Sequence, residues 1–193
     1  MFRVPTLLLL VSLLTVPFSI TSPLSPSDIA DRTKRSVVKV TAGQDEGMMI
    51  CTGFVTNIAR GEVITASHCV KPKGPLVIDE KPAELIRVND AMALIKIEPF
   101  GKPALTISNE DVLVTQVVAT IGWAYGEILV YVPRAIIAKD KGDFAMNGPI
   151  VPGMSGGPVV DENGVVVGIN QASTDAFGIA CGPKEIREFL KEK

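Results

Sequence analysis

The chain has 193 residues, with 19 Lys and Arg against 21 Asp and Glu and a formal net charge of −2. No run of Lys and Arg forms a basic stripe, so nucleic acid is not expected as a partner, because phosphate binding needs concentrated positive charge. A single histidine excludes a zinc site built on several imidazoles.

The first 22 residues have the pattern of a targeting segment. Arg3 is followed by an almost wholly apolar run over residues 7–16, shorter than the roughly 20 apolar residues that a spanning helix needs. A charged start before a short apolar stretch is typical of a secretory signal peptide. Because no Ala-x-Ala cleavage pattern follows, an uncleaved membrane anchor stays open. Residues 23–35 are predicted to be a linker and residues 36–193 a single domain.

From residue 36 onward, short apolar or alternating stretches are divided by Gly, Pro, Asn and Asp. This pattern predicts an all-β barrel or sandwich. A hairpin turn is predicted at residues 161–164, with Asn-Gly at its tip. One helix is predicted after Pro183, where Ile186, Phe189 and Leu190 share a face. The predicted strands are 37–40, 50–56, 62–65, 76–78, 84–88, 92–97, 115–121, 128–132, 135–138, 158–160, 165–170 and 178–180.

Ser155 lies between glycines in the sequence Gly-Met-Ser-Gly-Gly-Pro of residues 153–158. Such a turn can present the hydroxyl together with amide donors for a developing oxyanion. From this motif alone, a glycine-rich turn without a catalytic role stays open. The motif also matches the Gly-x-Ser-x-Gly pattern of α/β-hydrolases, in which the histidine follows the serine. Here the only histidine precedes it, which excludes the hydrolase interpretation.

His68, in Thr-Ala-Ser-His-Cys after an apolar strand, is the candidate base, because imidazole can remove a serine proton near neutral pH. A carboxylate should orient that imidazole. Asp90 is the candidate, since it directly precedes the apolar stretch of residues 91–97. For Asp90 alone, an ordinary turn residue before a strand stays open.

These three motifs, in the order His, Asp, Ser, resemble the triad signatures of the chymotrypsin-like serine proteases over roughly residues 36–190. The resemblance implies an all-β fold of two antiparallel six-stranded β-barrels, an active site in the cleft between them and a C-terminal α-helix. It implies a serine endopeptidase with His68, Asp90 and Ser155 as its triad, which acts on protein or peptide substrates and needs no metal or organic cofactor. The oligomeric state is not predicted.

Met154 stands where the trypsin-like digestive enzymes have an Asp that receives a new N-terminus, so activation by N-terminal insertion is not expected. The chain is more similar to the bacterial periplasmic heat-shock proteases, without their peptide-binding domain. A secreted or periplasmic location follows, with membrane anchoring if the leader is retained.

The resemblance also implies an oxyanion hole made of the N–H groups of Gly153 and Ser155, and a disulfide between Cys51 and Cys69 that pins the histidine loop. Three cysteines in a secreted chain suggest one disulfide and one free or intermolecular thiol. The remaining Cys181 is a weaker candidate nucleophile, because it lacks glycines on both sides of the kind that present Ser155, and a buried structural role is simpler.

Substrate contacts are implied at two further places. Gln171, Ala172 and Ser173 resemble the stretch that pairs with the substrate backbone as an added strand. Pro149, six residues before the nucleophile, stands at the floor of the primary specificity pocket, and Gly178 belongs to the same binding region. No carboxylate lies near Pro149 in the sequence, so uncharged side chains should be preferred. An inactive peptide-binding module with the same fold is the alternative function.

Overall fold

The computed structural model describes residues 25–44, 47–71, 74–99 and 101–192. The predicted leader, residues 1–22, lies outside these described residues. None of the helices in the four described ranges is long and apolar enough to cross a membrane.

A short helix, α1 (Pro26–Lys34), precedes the first strand. Ser25 caps it, because the Ser25 hydroxyl accepts from the Asp28 N–H and the Asp28 carboxylate accepts from the Ser25 N–H, both at 3.2 Å. Ile29 is 3% exposed and belongs to the main core. The prediction of a linker over residues 23–35 is therefore wrong across this helix, where a capping box and one buried face override the Pro and Ser composition.

The first half of the domain is an antiparallel sheet of seven strands in the order β5-β4-β1-β2-β3-β7-β6. Its two outer strands, β5 and β6, do not pair with each other, so this half differs from the expected closed barrel of six strands. The two-residue β5 contains Pro82, which has no N–H to donate, and this limits its pairing. The strands are β1 (Val37–Gln44), β2 (Gly47–Asn57), β3 (Glu62–Ala66), β4 (Leu76–Ile78), β5 (Lys81–Pro82), β6 (Glu84–Val88) and β7 (Met92–Lys96).

The second half is the expected closed six-stranded barrel, in the order β10-β13-β12-β11-β8-β9. The strand β9 continues through Pro133 and joins two predicted strands, while β10 was not predicted. The hairpin at residues 161–164 is confirmed, since the Gly164 N–H donates to the Asp161 carbonyl at 3.0 Å. The strands are β8 (Val117–Ala124), β9 (Ile128–Asp140), β10 (Asp143–Asn147), β11 (Pro158–Val160), β12 (Val166–Ser173) and β13 (Phe177–Cys181).

The predicted C-terminal helix is present as α2 (Pro183–Lys191) and packs on a core shared by both halves. Burial of apolar area is the main force that holds the two halves together, at roughly 25 cal/mol per Å². The sheet and the barrel therefore meet along an apolar seam, and loops from both reach the same region. The shared core includes Val37, Phe54 and Ile64 from the sheet, Ile121 and Ile169 from the barrel, and Ile186 and Phe189 from α2.

Candidate active site

The predicted catalytic residues lie in three turns. Ser155 is in the turn between β10 and β11, and Asp90 is in the turn between β6 and β7. His68 is the middle residue of a 3₁₀ turn, Ser67–Cys69, that directly follows β3. The serine turn thus belongs to the barrel, and the other two belong to the sheet.

A disulfide between Cys51 and Cys69 lies where the serine and histidine turns meet. A ring nitrogen of His68 and the two sulfur atoms lie within 4.8 Å of one another. The Sγ atom of Cys69 is also 3.8 Å from the carbonyl oxygen of Ser155. The fold therefore brings a ring nitrogen of His68 and the Ser155 carbonyl close to the same disulfide. Because both sulfurs are bonded to each other, they offer no thiolate, and this group is not a metal site.

Gly156 lets the serine turn pack directly against the histidine turn. A methyl group at this position would lie 2.2 Å from the Thr65 hydroxyl, 2.3 Å from the Thr52 carbonyl and 2.6 Å from the Ala66 nitrogen. Its φ of +80° is also a conformation that residues with a side chain rarely adopt. The glycine after the nucleophile is thus required by close approach as well as by backbone angle.

The N–H groups of Gly153 and Ser155 donate no hydrogen bond within the described part of the chain. Their peptide planes are nevertheless fixed through the carbonyls of the preceding residues. The Pro152 carbonyl accepts from the Tyr125 N–H at 2.7 Å, and the Met154 carbonyl accepts from the Gly157 N–H at 3.1 Å. In a planar trans peptide the C=O and N–H point in opposite directions, so these bonds set the direction of both free N–H groups.

Met154 anchors the serine turn in the barrel. Its side chain is 1% exposed and belongs to an apolar cluster with Phe144, Val159 and Val167. Between residues 149 and 158 the sequence carries no charged residue. Apolar burial and hydrogen bonds therefore hold this turn, rather than an ion pair.

His68 is half-buried, and its pKa lies below the ordinary value of 6.5, first because burial disfavours the charged ring and second because of the positive charge of Lys71. The imidazole is therefore neutral near neutral pH, which is the form that can accept a proton. Within the described residues the ring makes no hydrogen bond to the Ser155 hydroxyl.

Asp90 is exposed, and its carboxylate makes no hydrogen bond within the described ranges. The main chain around it is fixed instead: the Asn89 side-chain oxygen accepts from the N–H groups of Ala91 and Met92, at 2.9 and 2.7 Å. The Ser67 hydroxyl donates to the Asp90 carbonyl at 2.7 Å. The structure thus brings the Asp90 backbone beside the histidine turn, and in the described part of the chain the carboxylate makes no hydrogen bond to the imidazole.

The predicted substrate strand has a free edge beside the serine turn. Ala172 and Ser173 pair with β13 on one side, whereas the β11 pairing on the other side ends at Ile169. A bulge makes Gln171 the extra residue, and its side-chain nitrogen is buried without a partner in the described part of the chain. The Asn170 carbonyl accepts from the Gly156 N–H at 2.8 Å, which places this edge next to the nucleophile turn.

The predicted pocket residues also come together. Ile150, next to Pro149, donates its N–H to the Ser173 hydroxyl at 2.9 Å. A methyl group at Gly178 would lie 2.6 Å from Ile150. The Arg134 guanidinium donates to the Pro149 carbonyl at 2.6 Å, a contact that sequence reasoning missed because nothing near Arg134 marks it.

Thr52 is a second residue that sequence reasoning missed. It is fully buried, and its N–H donates to the Ser155 carbonyl at 2.9 Å. Its hydroxyl donates to the Gly153 carbonyl at 2.7 Å and accepts from the Trp123 N–H at 2.8 Å. The only available indication was its position next to Cys51.

Known proteins supply an independent comparison. The family model of the trypsin-like peptidase domain matches residues 51–169. A probable periplasmic serine endoprotease DegP-like of Ectopseudomonas mendocina is 30% identical over 147 residues, which cover 66% of this chain and 30% of that protein. The magnetosome formation protease MamE of Paramagnetospirillum magneticum is 28% identical over 186 residues, which cover 86% of this chain and 24% of that protein. The chain spans less than a third of the length of these relatives.

Solved structures agree on the fold. The serine endoprotease from Yersinia pestis superposes with a TM-score of 0.79 at 21% identity, covering 89% of this chain and 67% of that one. The active form of the Rv3671c protease from M. tuberculosis gives 0.78 at 20% identity, covering 91% and 92%. At these identities the likeness establishes the chymotrypsin-like fold alone. Together with the family match over residues 51–169, it shows that the chain belongs to the trypsin-like peptidase family.

Proposed function

We propose that this protein is a serine-type endopeptidase with Ser155 as nucleophile and His68 as general base. The observation that carries the proposal is the Cys51–Cys69 disulfide, whose sulfur atoms lie within 4.8 Å of a His68 ring nitrogen and one of which, Cys69 Sγ, lies 3.8 Å from the Ser155 carbonyl oxygen. The lowered pKa of His68 supports it, since a neutral imidazole is needed to accept the serine proton.

The chemistry follows from these groups. The Ser155 oxygen attacks the peptide carbonyl while His68 takes its proton, and the free N–H groups of Gly153 and Ser155 stabilise the oxyanion. His68 then protonates the leaving amine as the C–N bond breaks. Water attacks the acyl-enzyme in the same way and releases the carboxylic acid and the serine.

Asp90 is the proposed third member of the triad. Because its carboxylate is exposed, it would have to close onto the imidazole when substrate binds. Asp90→Asn should lower kcat by about 10⁴-fold if this closure occurs. A loss under tenfold, measured in a variant that unfolds at the same temperature as the wild type, removes Asp90 from the mechanism.

The proposed substrates are extended protein or peptide segments that pair with the free edge at Gln171–Ser173. The Arg134 guanidinium on the Pro149 carbonyl places positive charge near the proposed pocket floor, which supports a preference for uncharged over basic side chains. A peptide library cleaved by the purified protein tests this, and cleavage mainly after Lys or Arg would contradict it.

The proposed location is outside the cytoplasm. The disulfide favours an oxidising compartment, the leader has the pattern of a signal peptide, and the relatives include proteins named as periplasmic endoproteases.

A fluorophosphonate probe tests the nucleophile directly. The wild type should be labelled, Ser155→Ala should not, and Cys181→Ala should be labelled like the wild type. Burial, followed by Asp143, raises the pKa of the Cys181 thiol to about 12, so it is not a thiolate nucleophile. If labelling survives in Ser155→Ala, Ser155 is not the nucleophile.

A non-catalytic peptide-binding module is the second candidate. The missing hydrogen bond between His68 and Ser155 in the described part of the chain, together with the free edge of β12, favours it. A folded wild type that binds peptides but is neither labelled nor active would establish this function in place of the first.

A further inference from the structure

We infer that Thr52 is a positioning residue of the proposed endopeptidase. Its hydroxyl holds the serine turn, called the catalytic turn from here on, in the shape that presents the free N–H groups of Gly153 and Ser155. The inference rests on the proposed function for its catalytic meaning. The structural effect on the turn can be measured without it.

Thr52 contacts the catalytic turn at two points on either side of Met154. Its N–H donates to the Ser155 carbonyl at 2.9 Å, which any residue at this position could do. Its hydroxyl donates to the Gly153 carbonyl at 2.7 Å, which needs a side-chain oxygen. The turn is therefore held by β2 at Gly153, two residues before the nucleophile, and at Ser155 itself.

The Thr52 hydroxyl is itself fixed in direction. It accepts from the Trp123 N–H of β8 at 2.8 Å, so its own proton is left for the Gly153 carbonyl. The Thr52 carbonyl accepts from the Thr65 hydroxyl at 2.6 Å, which fixes the main chain of Thr52 from β3. One fully buried side chain thus links the sheet, the barrel and the catalytic turn.

The position of this bond gives it a role in the oxyanion hole. The Gly153 N–H and carbonyl lie on either side of the Gly153 α-carbon, whose φ of +90° only glycine adopts easily. With the Pro152 carbonyl bound by Tyr125 and the Gly153 carbonyl bound by Thr52, both peptide planes that meet at Gly153 are fixed. Without the second bond, the Gly153–Met154 peptide can rotate about this flexible residue, and only the Tyr125 bond is left to hold the Gly153 N–H in its direction.

No charged group replaces this bond if it is lost, because residues 149–158 carry no charge. Misplacing a catalytic group by about 1 Å can cost 10²-fold in rate, and losing an oxyanion donor costs about 10²–10³-fold. A donor that is loosened but not lost should cost less in rate than the complete loss of an oxyanion donor. We therefore expect Thr52→Val to lower kcat by about 10- to 100-fold with KM changed less than about threefold.

The experiment compares the full chain with Thr52→Val, Thr52→Ser and Thr120→Val. Thr52→Ser keeps the hydroxyl and should retain most of the activity. Thr120 is a matched control, since it is also fully buried and its hydroxyl has no partner within the described residues. The measurements are kcat and KM on a peptide substrate, the melting temperature, and amide hydrogen exchange of a peptide covering residues 152–157.

Slow turnover and faster exchange of the 152–157 peptide in Thr52→Val alone would support the inference. It is overturned if Thr52→Val keeps wild-type kcat and exchange, or if Thr52→Ser is as slow as Thr52→Val. If the wild type folds but does not hydrolyse peptides, the proposed endopeptidase function is refuted instead. In that case the exchange of residues 152–157 still decides whether Thr52 fixes the turn.

Discussion

The Cys51–Cys69 disulfide offers the sharpest quantitative test of the site. Its cysteines are separated by 18 residues in the sequence. In the chain-entropy model, closing a loop of this length stabilises the folded state by about 3 kcal/mol. Small domains have unfolding free energies of only about 5–15 kcal/mol, so this loss should be easy to measure.

The perturbation is the double variant Cys51→Ala, Cys69→Ala, made in a Cys181→Ala background so that no thiol remains. The control is Cys181→Ala alone, which keeps the disulfide. Urea unfolding can be followed by the fluorescence of Trp123, the single tryptophan of the chain. We expect the unfolding free energy to fall by about 3 kcal/mol relative to the control.

Probe labelling adds a functional measurement to the same pair of proteins. Because the disulfide lies next to His68 and the Ser155 carbonyl, the labelling rate of the folded double variant should fall, after correction for any unfolded fraction. A stability change under about 1 kcal/mol would refute the loop-closure argument. An unchanged labelling rate would refute the claim that the disulfide positions the two turns.

Three further predictions concern other contacts. Gly156→Ala should destabilise the protein by about 3 kcal/mol more than Gly101→Ala in urea unfolding. Both glycines have positive φ, but only Gly156 lacks space for a methyl group. Equal losses of unfolding free energy in the two variants would contradict this. On acidification, the activity should fall with a midpoint below pH 6.5, since His68 must be neutral and its pKa is lowered, and Lys71→Gln should move the midpoint of the pH–rate profile upward. Arg87→Met should lower the unfolding free energy by about 1–2 kcal/mol, because the Arg87 guanidinium donates to two carbonyls at the end of α2. An unchanged unfolding free energy would show that Arg87 does not cap this helix.

Much of the fold could be predicted because local patterns and tertiary structure agree. The strands at 76–78, 84–88 and 158–160 have the same bounds in the sequence pattern and in the structure. The helix α1 was missed because a Pro- and Ser-rich stretch is typical of linkers, whereas here Ser25 and Pro26 begin a helix. The strand β10 was missed because its residues are Asp-Phe-Ala-Met-Asn, a short run with polar ends that only the barrel partners stabilise.

The site was predictable only where chemistry restricts the residue type. A serine framed by glycines and the lone histidine can be found from the residues themselves, whereas the pairing of Cys51 with Cys69 follows from the family resemblance. The direction of the Asp90 carboxylate cannot, because it depends on the turn that Asn89 forms with Ala91 and Met92. Thr52 was equally hidden, since its partners Gly153 and Trp123 lie 101 and 71 residues away along the chain.

The buried side chain of Met154 bears on how the proposed endopeptidase would be controlled. Hydrocarbon contacts need neither a counter-ion nor a freshly cut chain end, so this anchor of the turn forms when the barrel folds. High salt should leave it intact, because screening weakens charge pairs and not apolar packing. For the proposed endopeptidase, we therefore expect control through its location or through access to its cleft rather than through a maturation step.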